Sequence, residues 1–367
     1  MSSCNLAIPR AVRTACAVLV FALAGSATGQ AASKVGWLWA DQPNASNQYT
    51  PNSVYSFNSA GGAITVKPIS TGFYEVILGK LYSSSPSNVQ VSAFGTNGYC
   101  VSAGWGGEDS GKSALMGVRC FNAAGLPANS YFTLLYQDRH GSFGGSAKGF
   151  AFLWADQPTA SNYTPNANYN YNSTATLNTV TRNGVGNYTV VIPGLSKQGG
   201  DVQVTGYSTT ATPVRCKSAG WGSFGSGTLA NVVCFDGTGA PADALYSFAF
   251  ALNEPFGYVS AGHSLGAYAW ANKPGDEKIY TPSKTWNFSS FGTGRMTSQK
   301  LSTGFYEAGL PGNLSYSSSV AFATAFDEEN SNAYCNIDQW YPIVVDCYAQ
   351  GGAEIDSEFD VTFQTAQ

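Results

Sequence analysis

Two short strings in this 367-residue chain match patterns that carry catalytic chemistry. Gly262-His263-Ser264-Leu265-Gly266 reads G-x-S-x-G, the turn on which esterases mount a nucleophilic serine. That chemistry needs an acid and then a histidine further along the chain. The chain has 2 histidines, His140 and His263, and neither follows Ser264. Gly106 to Ser113 (GGEDSGKS) reads G-x-x-x-x-G-K-[ST], a phosphate cradle when a strand precedes it and a helix follows. Here Ala114 to Phe121 reads as a strand, so a Gly-rich hairpin loop is expected instead. No catalytic residue is assigned on either string.

With so few histidines, acid–base work would fall to carboxylates, as in glycosidases. Asp41 and Asp156 each sit in a WADQP string, where a turn or cap role ahead of proline competes with ligand contact. Asp327, Glu328 and Glu329 form the one dense acidic loop. Calcium needs several converging oxygens, and neighbours on an extended chain point to alternate sides. The loop is therefore a weak calcium candidate; no other metal and no cofactor is expected. Trp37 and Trp286 are the candidates for a planar sugar-stacking surface, with Asp41 and Asp156 as polar partners.

The elements that must position these residues come from an internal repeat. Trp39-Ala40-Asp41-Gln42-Pro43 recurs at Trp154 to Pro158 and, as Trp270-Ala271-Asn272-Lys273-Pro274, a third time. Each copy continues with Tyr-Thr-Pro (from Tyr49, Tyr163 and Tyr280) and a Gly-led aromatic strand from Gly72, Gly186 or Gly304. VQVSAFG at Val89 matches VQVTGYS at Val202 and, more loosely, Val320 to Phe326. Trp105, Trp221 and Trp340 each follow a cysteine by five residues, and Cys120, Cys234 and Cys347 each precede an aromatic. Trp39, Trp154 and Trp270, like these three, are expected in the core.

Within a copy the period is two. Tyr188, Val190 and Ile192 alternate with Asn187, Thr189 and Val191, and Val202 and Val204 alternate with Gln203 and Thr205. Such alternation marks half-buried strands. About 110 residues per copy with seven or eight short strands points to an all-β fold of three tandem β-sandwich modules, Ig-like or jelly-roll-like. The expected boundaries are 33–137 for module 1, 149–252 for module 2 and 266–367 for module 3, each its own domain.

Of 8 cysteines, Cys4 and Cys16 lie near the N-terminus, leaving two per module. A separately folding module pairs its own, so Cys100–Cys120, Cys216–Cys234 and Cys335–Cys347 are the expected bridges. Residues 1–31 read as a signal peptide: Arg10 and Arg13, an apolar run from Ala15 to Ala24, then small residues. No later segment is long and apolar enough to span a membrane. The formal charge of −4, with an excess of acid concentrated in module 3, argues against a nucleic-acid partner.

The tandem WA[DN]xP, GxYxVxxPG and Cys-pair pattern resembles repeats of uncharacterised secreted bacterial proteins. That resemblance covers Trp37 to the C-terminus. It implies export and tandem β domains, and brings no activity, substrate or catalytic residue. The expected function is a secreted, non-enzymatic, multi-module protein that binds an extracellular glycan, polymer or cell-surface partner, with avidity across copies. A carboxylate-based polymer hydrolase and a structural envelope component are the alternatives. The sequence leaves the oligomeric state open.

Overall fold

The computed structural model describes residues 34–138, 149–256, 264–312, 318–327 and 331–366. Residues 1–33, which include the expected signal peptide, most of both linkers, His140, His263, Glu328 and Glu329 lie outside them.

Module 1 holds β1 (Val35–Ala40), β2 (Ser56–Asn58), β3 (Ile64–Ser70), β4 (Phe73–Leu78), β5 (Ser87–Phe94), β6 (Tyr99–Glu108), β7 (Ser113–Phe121) and β8 (Tyr131–Asp138). Module 2 repeats the plan: β9 (Phe150–Ala155), β10 (Asn162–Tyr163), β11 (Asn170–Asn172), β12 (Thr179–Gly184), β13 (Asn187–Pro193), β14 (Asp201–Tyr207), β15 (Val214–Phe224), β16 (Gly227–Asp236) and β17 (Leu245–Ala251). Module 3 has β18 (Ser264–Ala271), β19 (Asn287–Ser289), β20 (Thr297–Ser302), β21 (Phe305–Gly309), β22 (Ser319–Phe326), β23 (Tyr334–Trp340), β24 (Ile343–Tyr348) and β25 (Glu358–Ala366). The all-β, three-module expectation holds.

Each module packs two half-sheets around its own core, four strands in each except for a five-stranded half-sheet in module 2. In module 1 these run β2-β1-β8-β5 and β6-β7-β4-β3. Leu38, Val66, Tyr74, Val76, Met116 and Leu134 meet between them. Alternation carries this in β4 and β13, where every second residue is buried. The glycine that leads each of these strands is required by space and backbone alike. Gly72, Gly186 and Gly304 have φ of +67°, +65° and +69°. A Cβ there would stand 2.5, 2.5 and 2.6 Å from the carbonyl oxygen of Cys120, Cys234 and Cys347.

The modules do not stand apart as separate domains. Each sheet is completed by half of the neighbouring module. Short parallel contacts close the cycle: Ser102 of β6 with Tyr207 of β14, Ser218 of β15 with Phe326 of β22, and Ile337 of β23 with Phe94 of β5. The connectivity is threefold. Side-chain hydroxyls repeat it at the centre: Thr205 donates to Gln90 Oε1, Thr324 to Gln203 Oε1, and Ser92 to the Ala323 carbonyl, at 2.9, 2.9 and 3.3 Å. These bonds align Ser92 with Thr205 and Thr324, so the third VQVS-like string begins at Ala321, one residue later than its sequence suggests.

The polar face of β14 is therefore not a solvent face. Gln203 and Thr205 are buried against modules 3 and 1. A further apolar cluster joins all three modules, from Val35, Trp37 and Leu135 through Phe150, Phe152 and Phe256 to Tyr268, Val320 and Phe322.

A cross-strand disulfide ties the same hairpin in each module. Cys100–Cys120 joins β6 to β7, Cys216–Cys234 joins β15 to β16, and Cys335–Cys347 joins β23 to β24. The pairs stand directly opposite, with Cα atoms 4.0, 4.1 and 4.0 Å apart. Three formed disulfides fit an oxidising environment. Among the described residues no helix is long and apolar enough to cross a membrane.

Candidate functional site

The two catalytic-looking strings fall where their chemistry cannot assemble. Gly106 to Ser113 spans the β6–β7 hairpin, with Glu108 paired to Ser113 and the backbone left-handed at Asp109, Ser110 and Gly111. No helix follows to point its N–H groups at a phosphate. Ser264 opens strand β18 rather than a strand-to-helix turn.

Tryptophans concentrate at the three module junctions, and each junction is built alike. Trp105 meets Trp154, Tyr169 and Tyr207 of module 2, with ring centroids 6.1, 5.3 and 6.0 Å away. Trp221 meets Trp270, Trp286 and Phe326 of module 3 at 5.8, 5.3 and 5.4 Å. Trp340 returns to Trp39, Tyr55 and Phe94 of module 1 at 5.2, 4.9 and 4.4 Å. The Trp that follows each first cysteine is thus a peg, and the next module supplies its socket.

This arrangement corrects the aromatic candidates. Trp37 is 0% exposed, packs on Phe57 at 4.6 Å and donates through Nε1 to the Ser318 carbonyl. It has no face to offer a ligand. Trp286 is half-buried in the socket for Trp221, at the position that Tyr55 and Tyr169 hold in their modules. Asp41 and Asp156 are half-buried brackets: each Oδ2 accepts the backbone N–H of Asn52 or Asn166, at 3.3 Å, ahead of a short 3-10 turn. Each Oδ1 is buried without a protein partner. Asp327 faces Lys217 at 3.4 Å and accepts from the Ser331 N–H. An ammonium thus already answers that carboxylate. Among the described residues no group of three or more metal-ligating side chains occurs.

One junction opens into a cleft. On module 3 a cavity of about 460 Å³ is lined by Trp270, Pro274, Phe326, Asp327, Asp356 and Glu358, with Ser331, Ile355 and Ser357. The rings of Trp270 and Phe326 lie 4.8 Å apart and form its apolar wall. Glu358 Oε2 accepts from Trp270 Nε1 at 3.0 Å and fixes the indole. Strand pairing makes Glu358 the counterpart of Tyr131 and Leu245. In module 1, Tyr131 stacks on Trp39 at 5.8 Å instead. Where module 1 carries a ring and module 2 a leucine, module 3 adds a third carboxylate to a rim that already holds Asp327 and Asp356.

Asp356 belongs to a repeated bracket. It accepts from the Gly304 N–H and the Tyr306 hydroxyl and pairs with Lys300. Asp243 does the same with Gly186, Tyr188 and Arg182. Partial burial would raise the Asp356 pKa; the Lys300 ammonium and the Gly304 N–H outweigh it and hold the group below the usual carboxylate value. A second, smaller cleft of about 350 Å³ lies beside Trp340, Tyr341, Pro342 and Glu307. Tyr341 is 67% exposed there.

Sequence reasoning placed Trp270 in the core and gave no role to Phe326 or Glu358. The available signal was the departure of the third copy, where Glu358 stands against Tyr131 and Leu245. No protein-family profile, curated protein or solved structure matches the chain.

Proposed function

We propose that the chain is a secreted, non-enzymatic binding protein, and that its third module takes an uncharged extracellular glycan along the Trp270 cleft. The observation that carries this reading is the cleft itself: two aromatic rings beside an acidic, hydroxyl-bearing rim. Its volume falls in the range of ligand sites, and apolar walls with a few fixed polar groups suit a sugar's apolar face and its hydroxyls. Glu358, Ser357 and Asp327 offer acceptors along the rim. A polyanion would meet repulsion there, which favours a neutral polymer.

The hydrolase alternative receives less support. A glycosidase needs one carboxyl raised into a proton donor. Asp356 in this cleft is shifted the other way and committed to three partners. Formed disulfides, the N-terminal pattern and the resemblance to secreted repeats support export.

The test is a co-sedimentation and calorimetry panel of neutral polysaccharides against the mature protein. Trp270→Ala is expected to weaken binding roughly tenfold, about 1.4 kcal/mol, with a native circular-dichroism spectrum retained. Glu358→Gln keeps an acceptor for the indole and is expected to bind within about threefold of wild type. Binding that is unchanged in a folded Trp270→Ala protein, or absent across the panel, removes the reading. Release of reducing ends would replace it with the hydrolase.

A further inference from the structure

A second, very different cavity lies where the three modules converge. It measures about 50 Å³ and is lined by Val91, Val204 and Ala323 from the central strands and by Tyr99, Arg215 and Tyr334. The last three are one repeat position, the residue before Cys100, Cys216 and Cys335. Two modules place a tyrosine there, and module 2 places a cation.

Arg215 is 6% exposed. Its guanidinium carbon sits 5.1 Å from the ring centre of Tyr99 and 4.6 Å from that of Tyr334. Nη2 donates to the Gln350 side-chain oxygen. Nε and Nη1 are buried and make no hydrogen bond of ordinary geometry, although the Tyr334 hydroxyl lies close to the guanidinium. Among the described residues no carboxylate comes within 4.0 Å of it. Two residues on, Lys217 also lines the cavity, at 2% exposure, where its siblings are Val101 and Asn336. Asp327 answers that second cation at 3.4 Å.

A buried charge with no carboxylate in contact is costly, and the two neighbouring rings, whose centroids are 5.6 Å apart, offset only part of the cost. The fold does not need the cation, because Tyr99 and Tyr334 hold the same place without one. An acidic chain has thus put two cations of one strand against a central cavity and left two N–H donors of one of them unspent. We propose that this cavity is a binding site for a small monovalent inorganic anion of halide size, ligated by Arg215 Nε–H and Nη1–H. The volume holds a small ion with a few waters and is too small for a sugar or a large organic anion. Tyr99 and Tyr334 flank the guanidinium and Gln350 accepts from Nη2, so the cation is already held at the cavity wall. The ion would act as a structural pin at the point where all three modules meet.

The full mature chain tests this directly. Melting is followed in sodium gluconate with increasing chloride or bromide at constant ionic strength. A saturable rise in Tm of about 2–4 °C is expected with either halide. Arg215→Tyr, which installs the sibling residue, is expected to abolish that rise. Crystals soaked in bromide are expected to show an anomalous peak beside Arg215, an outcome that does not depend on any variant folding. Water alone at that place in bromide-soaked crystals, or halide dependence that survives Arg215→Tyr, overturns the proposal.

Discussion

Asp201 and Asp360 face each other across the junction of modules 2 and 3, both at 0% exposure. The matching residues of modules 1 and 2 are Asn88 and Ser247, joined by a 2.7 Å hydrogen bond. Between modules 3 and 1 they are Val320 and Thr133, whose hydroxyl donates to the Ala321 carbonyl. One structural position thus holds an amide–hydroxyl pair, an apolar–hydroxyl pair and two acids. Asp201 Oδ2 accepts from Gln203. Neither oxygen of Asp360 has a protein donor, so a proton held between the two carboxyls is what can satisfy them.

That proton makes stability depend on pH. Burial raises both carboxyls, and the charges of Asp201 and Glu358 raise Asp360 further. The native state then binds more protons than the unfolded state once pH exceeds the unfolded value of about 4. Stability is greatest on the acid side of that window and falls as pH rises toward the native value, by about 1.4 kcal/mol per pH unit for one proton. Glu254, raised to about 7 by burial, and Asp346, raised to about 6 by burial, act in the same direction. The informative quantity is therefore a difference between proteins. Asp360→Asn supplies an amide donor to Asp201 and should flatten the urea-midpoint profile between pH 5 and 8 by one proton. Parallel profiles for the two proteins would show that the pair holds no proton.

Trp37 gives a second prediction, on stability rather than binding. Its ring fills the cluster shared by the three modules, and its Nε1 is 3.1 Å from the Ser318 carbonyl. Trp37→Ala should cost about 3–5 kcal/mol in denaturant titrations. It should leave affinity per folded molecule unaltered in the polysaccharide assay. A surface role would produce the opposite pattern, with weakened binding and unchanged unfolding.

Much of the fold was legible in the residues, and the reason is the repeat. Two cysteines per module selected the disulfides, the Gly-led aromatic string located β4, and the period of two located β13 and β14. What pattern reading lost was the second buried face. Gln203 and Thr205 are polar, so they read as solvent-facing, yet the hydroxyl bonds at the centre satisfy them in the interior. Counter-evidence was present in the non-alternating FAFLWA of β9 and LYSFAFA of β17, which are buried on both faces. The cleft was less legible. Trp270 is chemically like Trp39 and Trp154, and its difference lies in Glu358, which is remote in sequence and meets it only through strand pairing.

The disulfides provide a third prediction. They close loops of similar size, with sequence separations of 20, 18 and 12. On the chain-entropy account each contributes about 3 kcal/mol, and the longest and shortest loops differ by only about 0.5 kcal/mol. Replacing each pair by alanines should give three similar losses in denaturant stability, with Cys335/Cys347 smallest. A loss below about 1 kcal/mol at any pair would show that the native hairpin, not the unfolded chain, dominates that bridge's effect.

The shared sheets predict one cooperative unit. Cutting out residues 149–252 would expose Phe150, Phe152, Ala249 and Ala251, which are buried in the three-module cluster. It would also uncover Asp201, Gln203, Arg215 and Lys217, all buried in the whole chain. Strands β14 and β15 would lose their partners β6 and β22 and become open edges. The module keeps its own core, around Tyr188, Val190, Val232 and Phe248, and its own disulfide. The fragment should therefore retain β-rich circular dichroism yet bind a hydrophobic dye and self-associate. The three-module chain should melt in a single calorimetric transition. Three resolved transitions, or a monomeric fragment with a sharp unfolding midpoint, would mean that the junctions are docking contacts between modules that fold alone.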